Sequence, residues 1–150
     1  MLLKYNFIVR KETKTTMPAR ILIVEDEMLV AMELEAILED LGYVSVGIAP
    51  DMATALDLGM LKPDLALVDL NLRDGLTGPE IGKRLSGQHN ASVLFITANP
   101  RVLGNGVAGT IGVLTKPTDL EVVAAAVEYA LRRKVGDVAA IPPSSLRLFA

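Results

Sequence analysis

The stretch LALVDLNLRDG, residues 65–75, places a carboxylate directly at the end of an apolar run. Leu65–Val68 is short, continuous and apolar, which is typical of a strand that is covered on both faces of a parallel sheet. Asp69 follows it at once, and the chain then continues into a polar loop that contains Asn71 and Gly75. A carboxylate in this position needs either a structural partner or a chemical use.

Four further runs of the same kind define the fold class. The five apolar runs are residues 21–24, 44–48, 65–68, 93–96 and 111–114. Apolar residues at helical spacing predict helices over 28–41 and 118–134, and shorter helices are predicted at 51–61 and 79–85. Segment 98–110 is rich in glycine, so any helix there should be short or loose. The alternation predicts a single α/β domain with a doubly wound, open parallel sheet of five strands.

Composition narrows the setting. A chain of 150 residues with 51% hydrophobic content suits one domain with a substantial core. The chain has no cysteine, which excludes disulfides and thiolate metal sites and favours a reducing, cytoplasmic location. A net charge of -3 gives no broad basic surface for nucleic acid, and no apolar run is long enough to span a membrane.

Polar residues follow four of the five predicted strands. Glu25 and Asp26 follow the first, Asp69 the third, Thr97 the fourth, and Lys116 the fifth after one intervening residue. Ligands of open parallel sheets bind outside the carboxyl ends of the strands, so these side chains should converge at one edge. Three neighbouring carboxylates repel one another, and a hard cation such as Mg²⁺ relieves that repulsion. The set therefore suits a carboxylate that accepts a phosphoryl group.

Each of these residues also has a purely structural interpretation. The acids at 25–27 are favoured at a helix start, Asp69 could cap a turn, and Thr97 or Lys116 could mark an ordinary element boundary. The coincidence of all of them at successive strand ends favours the chemical interpretation.

The motifs ILIVEDE, LALVDLNLRDG, VLFITA and VLTKP occur in this order over about residues 19–134. In this respect the chain resembles the receiver domain of bacterial two-component response regulators. The resemblance implies a flavodoxin-like fold with strand order 2-1-3-4-5. It also implies a phosphoreceiver domain that acts with a histidine kinase or a histidine phosphotransfer protein.

The resemblance also assigns roles to individual positions. Asp69 matches the phosphoacceptor, Asp26 the direct magnesium ligand, and Glu25 its neighbour that usually acts through water. Asn71 matches the position whose main-chain carbonyl completes the metal site. The remaining two matches are Thr97, the hydroxyl residue that moves to the phosphoryl group, and Lys116, the family's lysine.

Two positions depart from the family pattern. Val113 stands where receivers commonly carry the switch aromatic, three residues before Lys116. The stretch between Thr97 and Lys116 is short for the family, which indicates a reduced fourth helix. Both changes fall on the surface that receivers commonly use for dimers and targets, so the output face should be atypical and homodimer formation stays open.

The segments outside the domain are predicted less firmly. Residues 1–18 are interpreted as a disordered or variable extension, with an edge strand as the alternative, since apolar residues alternate there. Residues 135–150 are interpreted as a disordered tail, with docking on its own domain or on a partner as the alternative. The short remainder after Lys116 leads us to expect no output domain.

The leading functional prediction is thus a single-domain response regulator that signals or relays through protein contacts. It would catalyse only its own magnesium-dependent phosphorylation and dephosphorylation. A pseudo-receiver that serves as an unphosphorylated scaffold is the alternative. A phosphatase that forms an aspartyl phosphate is disfavoured, because Asn71 stands where its second carboxylate would be needed.

Overall fold

The computed structural model describes residues 17–150. The strands and helices, in chain order, are β1 (Arg20–Val24), α1 (Met28–Asp40), β2 (Val44–Ala49), α2 (Met52–Gly59), β3 (Leu65–Val68), α3 (Gly78–His89), β4 (Ser92–Thr97), a 3-10 helix (Pro100–Leu103), β5 (Gly112–Thr115), α4 (Leu120–Lys134) and β6 (Arg147–Leu148). The first five strands pair in parallel in the order 2-1-3-4-5, so the predicted sheet and its strand order are confirmed.

The apolar runs are continuous because each strand is covered on both faces. Alternate side chains of β1, β3 and β4 enter one core with α1 and α4, among them Ile23, Leu67 and Ile96. The intervening side chains enter a second core with α2 and α3, among them Val24, Val68 and Phe95. A strand that must fill both cores has no position left for a polar residue until it ends.

Helix boundaries follow local chemistry. Asp51 caps α2 by accepting a hydrogen bond from the Thr54 amide at 2.9 Å. Helix α3 begins at Gly78 with Pro79 in its first turn and runs to His89, further than the predicted end at residue 85. The predicted reduction of the fourth helix is confirmed, since the helical residues between β4 and β5 are the four of the 3-10 helix.

Residues 135–150 correct one expectation. Their final part is ordered against the domain: Arg147 and Leu148 form β6, which pairs antiparallel with β5 and adds a sixth strand to the sheet. Leu146 is 6% exposed and belongs to the core beneath α1 and α4. The disordered interpretation is therefore wrong for this part of the segment, and the alternative of docking on its own domain holds.

Two further expectations concern the N-terminal extension and membrane-spanning segments. The proposed N-terminal extension lies, for residues 1–16, outside the described residues. Within residues 17–150, no helix is both long enough and apolar enough to cross a bilayer.

Candidate functional site

Backbone hydrogen bonds bring the strand ends level at one edge of the sheet. Val24 of β1 lies opposite Val68 of β3, and the next amide, that of Asp69, donates to the Val24 carbonyl at 2.9 Å. Further along the sheet, where β4 pairs with β5, the Lys116 amide donates to the Thr97 carbonyl at 2.8 Å. The parallel ladders thus extend one residue beyond the strands and fix the backbone that carries the polar side chains.

Three of the predicted site residues form one ion cluster at this edge. The Lys116 ammonium lies 2.8 Å from Glu25 Oε1 and 3.0 Å from Asp69 Oδ2. The other carboxylate oxygens accept main-chain hydrogen bonds, Glu25 Oε2 from the Glu27 amide at 3.1 Å and Asp69 Oδ1 from the Leu70 amide at 2.7 Å. Both carboxylates are therefore held from two sides.

Burial and charge set the protonation of the cluster. Glu25 is 3% exposed, and this burial raises its pKa, although the hydrogen bond from Lys116 opposes the rise. Burial alone would lower the pKa of Lys116, but its bonds to Glu25 and Asp69 outweigh that effect and raise it. The ammonium thus stays charged at neutral pH and acts as the fixed cation of the site.

Asp69 is the accessible carboxylate of the cluster. Its side chain is 11% exposed, compared with 4% for Glu25. Both border a cavity of about 480 Å³, whose polar end also includes Lys116 and whose apolar walls come from α1 and α4. A carboxylate that is rigid, adjacent to a cation and open to a cleft can attack an electrophilic phosphorus.

Thr97 lies at the end of β4 but does not bond to the ion cluster. It is 1% exposed, and its Oγ1 accepts a hydrogen bond from the Asn99 amide at 3.1 Å. Ala98, the next residue, is exposed and borders the cavity. The Asn99 bond uses Thr97 Oγ1 as an acceptor, so the O–H group stays available to donate to a group on Asp69.

Asp26 and Asn71 lie at the same edge with fewer restraints. Asp26 is half-buried beside Glu25, and its carboxylate makes no hydrogen bond to another group within residues 17–150. Asn71 is exposed in the loop after Asp69. The structure thus places all six predicted residues at one edge, but it joins only Glu25, Asp69 and Lys116 by direct contacts.

The donor set fits a magnesium ion better than a metal enclosed by protein. Among residues 17–150 no three His, Cys, Asp or Glu side chains form a cage of their own around a metal. Mg²⁺ keeps several waters and takes one or two carboxylates, so it does not require such a cage. The Asp26 carboxylate has no other partner within residues 17–150, and Asp69, which shares Lys116 with Glu25, could supply a second hard ligand.

Two supporting features were not recognised in the sequence. Gly78, the first residue of α3, packs so closely on the backbone of Asp69 and Leu70 that a Cβ atom there would overlap both. Arg73 Nε donates to Asp51 Oδ2 at 2.8 Å, which fastens the loop after Asp69 to the start of α2. The Gly78-Pro79 pair indicates a helix start in the sequence. That Gly78 must also pack against the backbone of Asp69 follows only from the fold.

Comparison with known proteins supplies independent findings. The sequence pattern of the response regulator receiver domain matches residues 21–128. The chain is similar to the phyllosphere-induced regulator PhyR of Methylorubrum extorquens, 38% identical over 92 residues, which cover 60% of this chain and 34% of that protein. It is also similar to the transcriptional regulatory protein PdtaR of Mycobacterium tuberculosis, 33% identical over 128 residues, 81% of this chain and 61% of that protein.

A solved structure agrees with these similarities. The crystal structure of the anti-anti-sigma factor PhyR from Bartonella quintana matches with a TM-score of 0.69 at 30% sequence identity. The match covers 87% of this chain and 54% of that one. The chain thus spans only part of the length of each of these relatives.

Proposed function

The chain belongs to the response regulator receiver domain family, and on this premise we propose that Asp69 accepts a phosphoryl group from a histidine kinase or a histidine phosphotransfer protein. The observation that carries the proposal is the position of Lys116 Nζ between Glu25 and Asp69, at 2.8 and 3.0 Å. A structural salt bridge would need one carboxylate, whereas this ammonium lies between two, one of which faces an open cleft.

The proposed step is a single displacement at phosphorus. A carboxylate oxygen of Asp69 forms a bond to the phosphorus while the bond from phosphorus to the donor imidazole nitrogen breaks, and the imidazole keeps the electron pair. The Leu70 amide and Lys116 hold the nucleophile in place, which keeps it aligned with the leaving nitrogen. Lys116 is also near enough to neutralise negative charge that collects on the transferred oxygens.

Magnesium belongs to this proposal as the cofactor. Asp26, Asp69 and the main-chain carbonyl of Asn71 would hold it, and Glu25 would act through water. When bound, the ion supplies charge neutralisation at the phosphoryl oxygens. We propose no turnover of an external substrate, only gain and loss of the chain's own phosphoryl group.

The signal would then pass through protein contacts. Thr97 is the residue that can detect the modification, because its hydroxyl is buried at the adjacent strand end and bonded only to the Asn99 amide. The anti-anti-sigma activity in the name of one relative belongs to a protein of which this chain covers about half. That similarity supports a protein target and does not identify it.

Phosphorylation of the purified chain tests the proposal. Acetyl phosphate with Mg²⁺ should add one phosphoryl group, measured by intact mass, and hydroxylamine should remove it because an acyl phosphate is labile to that nucleophile. Asp69→Asn should show no mass gain. Asp74→Asn, which changes another carboxylate in the same loop, serves as the matched control and should be labelled like the wild type.

Two results would contradict the proposal. Labelling that persists in Asp69→Asn would place the phosphoryl group elsewhere. A wild-type chain that gains no mass under these conditions would favour the alternative of an unphosphorylated scaffold.

A further inference from the structure

The segment 146–149 contains the two-residue strand β6, lies along β5 and inserts a side chain from each end into a core. Leu148 pairs with Gly112 and Arg147 with Val113, and the Phe149 amide donates to the Ile111 carbonyl at 2.9 Å. Leu146 enters the core beneath α1 and α4, while Phe149 packs with the core on the opposite face. We call residues 146–149 the C-terminal latch.

The C-terminal latch also grips the segment between β4 and β5. The Arg147 guanidinium donates to the Gly104 carbonyl at 3.1 Å and to the Pro100 carbonyl at 3.5 Å, and it lies 5.4 Å from the centre of the Phe149 ring. A Cβ atom at Gly106 would lie 2.6 Å from the Phe149 ring, so that loop fits closely around the aromatic side chain. One short strand therefore fastens β5 and the 3-10 helix together.

These contacts lead directly to Thr97. The Phe149 ring lies 6.3 Å from that of Phe95, which is on the same strand face as Thr97, two residues further on. The Asn99 amide, which donates to Thr97 Oγ1, is joined to Pro100, whose carbonyl Arg147 contacts. A movement of Thr97 toward Asp69 would strain the bond from Asn99 and, through Pro100, the carbonyl that Arg147 contacts.

The C-terminal latch has a shorter backbone ladder than the strands beside it, and two side chains, Leu146 and Phe149, anchor it in the cores. Its ladder spans two residues, both of which are exposed, and its longer Arg147 hydrogen bond is at the limit of that interaction. Short exposed elements of this kind open at a small fraction of the free energy of global unfolding. A modest change at the 3-10 helix is therefore sufficient to shift its equilibrium.

We propose that the C-terminal latch docks on β5 while Asp69 is unmodified and is released when Asp69 carries a phosphoryl group. The proposal rests on the function proposed above and adds the element that would report it. Release uncovers the edge of β5 and the Phe149 site beside Phe95, so the same event changes the surface on the β5 side of the sheet. β5 carries Val113 where receivers commonly have the switch aromatic. Phe149, which packs in the same core as Val113, would supply the aromatic side chain that responds.

A distance measurement tests release directly. The chain has no cysteine, so a spin-label pair can be placed with Lys83→Cys on α3 and Ala150→Cys beside the C-terminal latch. We expect a narrow distance distribution without phosphodonor and a broader, longer one after treatment with acetyl phosphate and Mg²⁺. The control pair, Lys83→Cys with Glu39→Cys on α1, should not change, and adding Asp69→Asn should abolish the change in the first pair.

Thermodynamic linkage gives a second test. If a phosphoryl group favours release by some factor, the released state must bind a phosphoryl mimic more tightly than the docked state by that same factor. A variant that weakens the C-terminal latch should therefore bind the mimic more tightly than wild type. We expect Phe149→Ala to bind trifluoroberyllate with Mg²⁺ about fivefold more tightly or better than wild type. Leu148→Ala is the control, because that side chain is 43% exposed and its pairing uses the backbone, so its affinity should equal the wild type's.

The outcomes separate the two proposals. If the chain gains the phosphoryl mass while the spin-label distances stay constant, the proposed release of the C-terminal latch is wrong and the proposed phosphorylation of Asp69 stands. Equal trifluoroberyllate affinity in Phe149→Ala and wild type overturns it as well. A wild-type chain that gains no mass overturns both proposals together.

Discussion

Replacement of Gly78 by alanine should damage both the fold and the site, because no room exists for one methyl group. The added Cβ would lie 2.9 Å from the Asp69 carbonyl carbon, 0.5 Å inside the 3.4 Å at which ordinary contact begins, and would overlap the carbonyl oxygen more severely. The obstacles are backbone atoms and not a flexible side chain. Either α3 or the backbone of Asp69, the proposed phosphoacceptor, must therefore move.

The expected cost follows from two opposing terms. Overpacking of this kind costs about 1–3 kcal/mol, and the lower backbone entropy of alanine in the unfolded chain returns about 0.5–1 kcal/mol. The two terms leave a net loss of up to about 2.5 kcal/mol, and because the overlap is with backbone atoms we expect a loss of about 2 kcal/mol in urea denaturation. We also expect phosphorylation by acetyl phosphate to slow about tenfold or more, since small displacements of a nucleophile are costly.

Gly87→Ala is the matched control in the same helix. A Cβ atom at Gly87 meets nothing within 4 Å, so this variant should be more stable than wild type by about 0.5–1 kcal/mol and should be phosphorylated normally. If Gly78→Ala matched Gly87→Ala in stability and in phosphorylation rate, the close approach of α3 to Asp69 would not be a feature of the protein in solution.

Two further predictions concern charged groups. The Thr54 amide together with Arg73 lowers the pKa of Asp51 from 3.8 to about 2, so the stability gained from the ionised carboxylate is present above about pH 4 and lost as the pH falls toward 2. The melting temperature of wild type should therefore exceed that of Asp51→Asn near neutral pH and converge with it over this window; a difference that is constant with pH would contradict the assignment. Lys116→Met leaves the largely buried Glu25 without its cation and should lower the unfolding free energy in EDTA by about 3 kcal/mol. Added Mg²⁺ should restore part of that loss, whereas Lys83→Met, on the exposed face of α3, should change little. Equal unfolding free energies of Lys116→Met and wild type in EDTA would refute this.

The sequence predicts the sheet well because its strands fill two cores at once. A residue such as Leu67 has no alternative environment, and the continuous apolar runs that result are easily distinguished from amphipathic segments. The strand ends are then known to within a residue, and the rule for parallel sheets brings Glu25, Asp69 and Lys116 to one edge.

Local sequence patterns do not predict contacts between segments that are far apart in the chain. Arg147-Leu148-Phe149 is too short to show a period, so nothing in it distinguishes a strand on β5 from a disordered tail. The same applies to Gly78, whose role depends on the backbone of Asp69 passing within contact distance. The structure brings Glu25, Asp69 and Lys116 into contact, and the functional roles given to all six site residues remain predictions.

The central position of β3 determines which parts of the molecule move first. β3 has paired neighbours on both sides and four buried residues, and the Asp69 amide continues its ladder with the Val24 carbonyl. Among residues 17–150, thermal fluctuations should therefore open β6 and the outer strand β2 before they reach Asp69, and amide exchange should be slowest around β3. The outer strands β2 and β6 can therefore open while Asp69 keeps its position relative to Glu25 and Lys116.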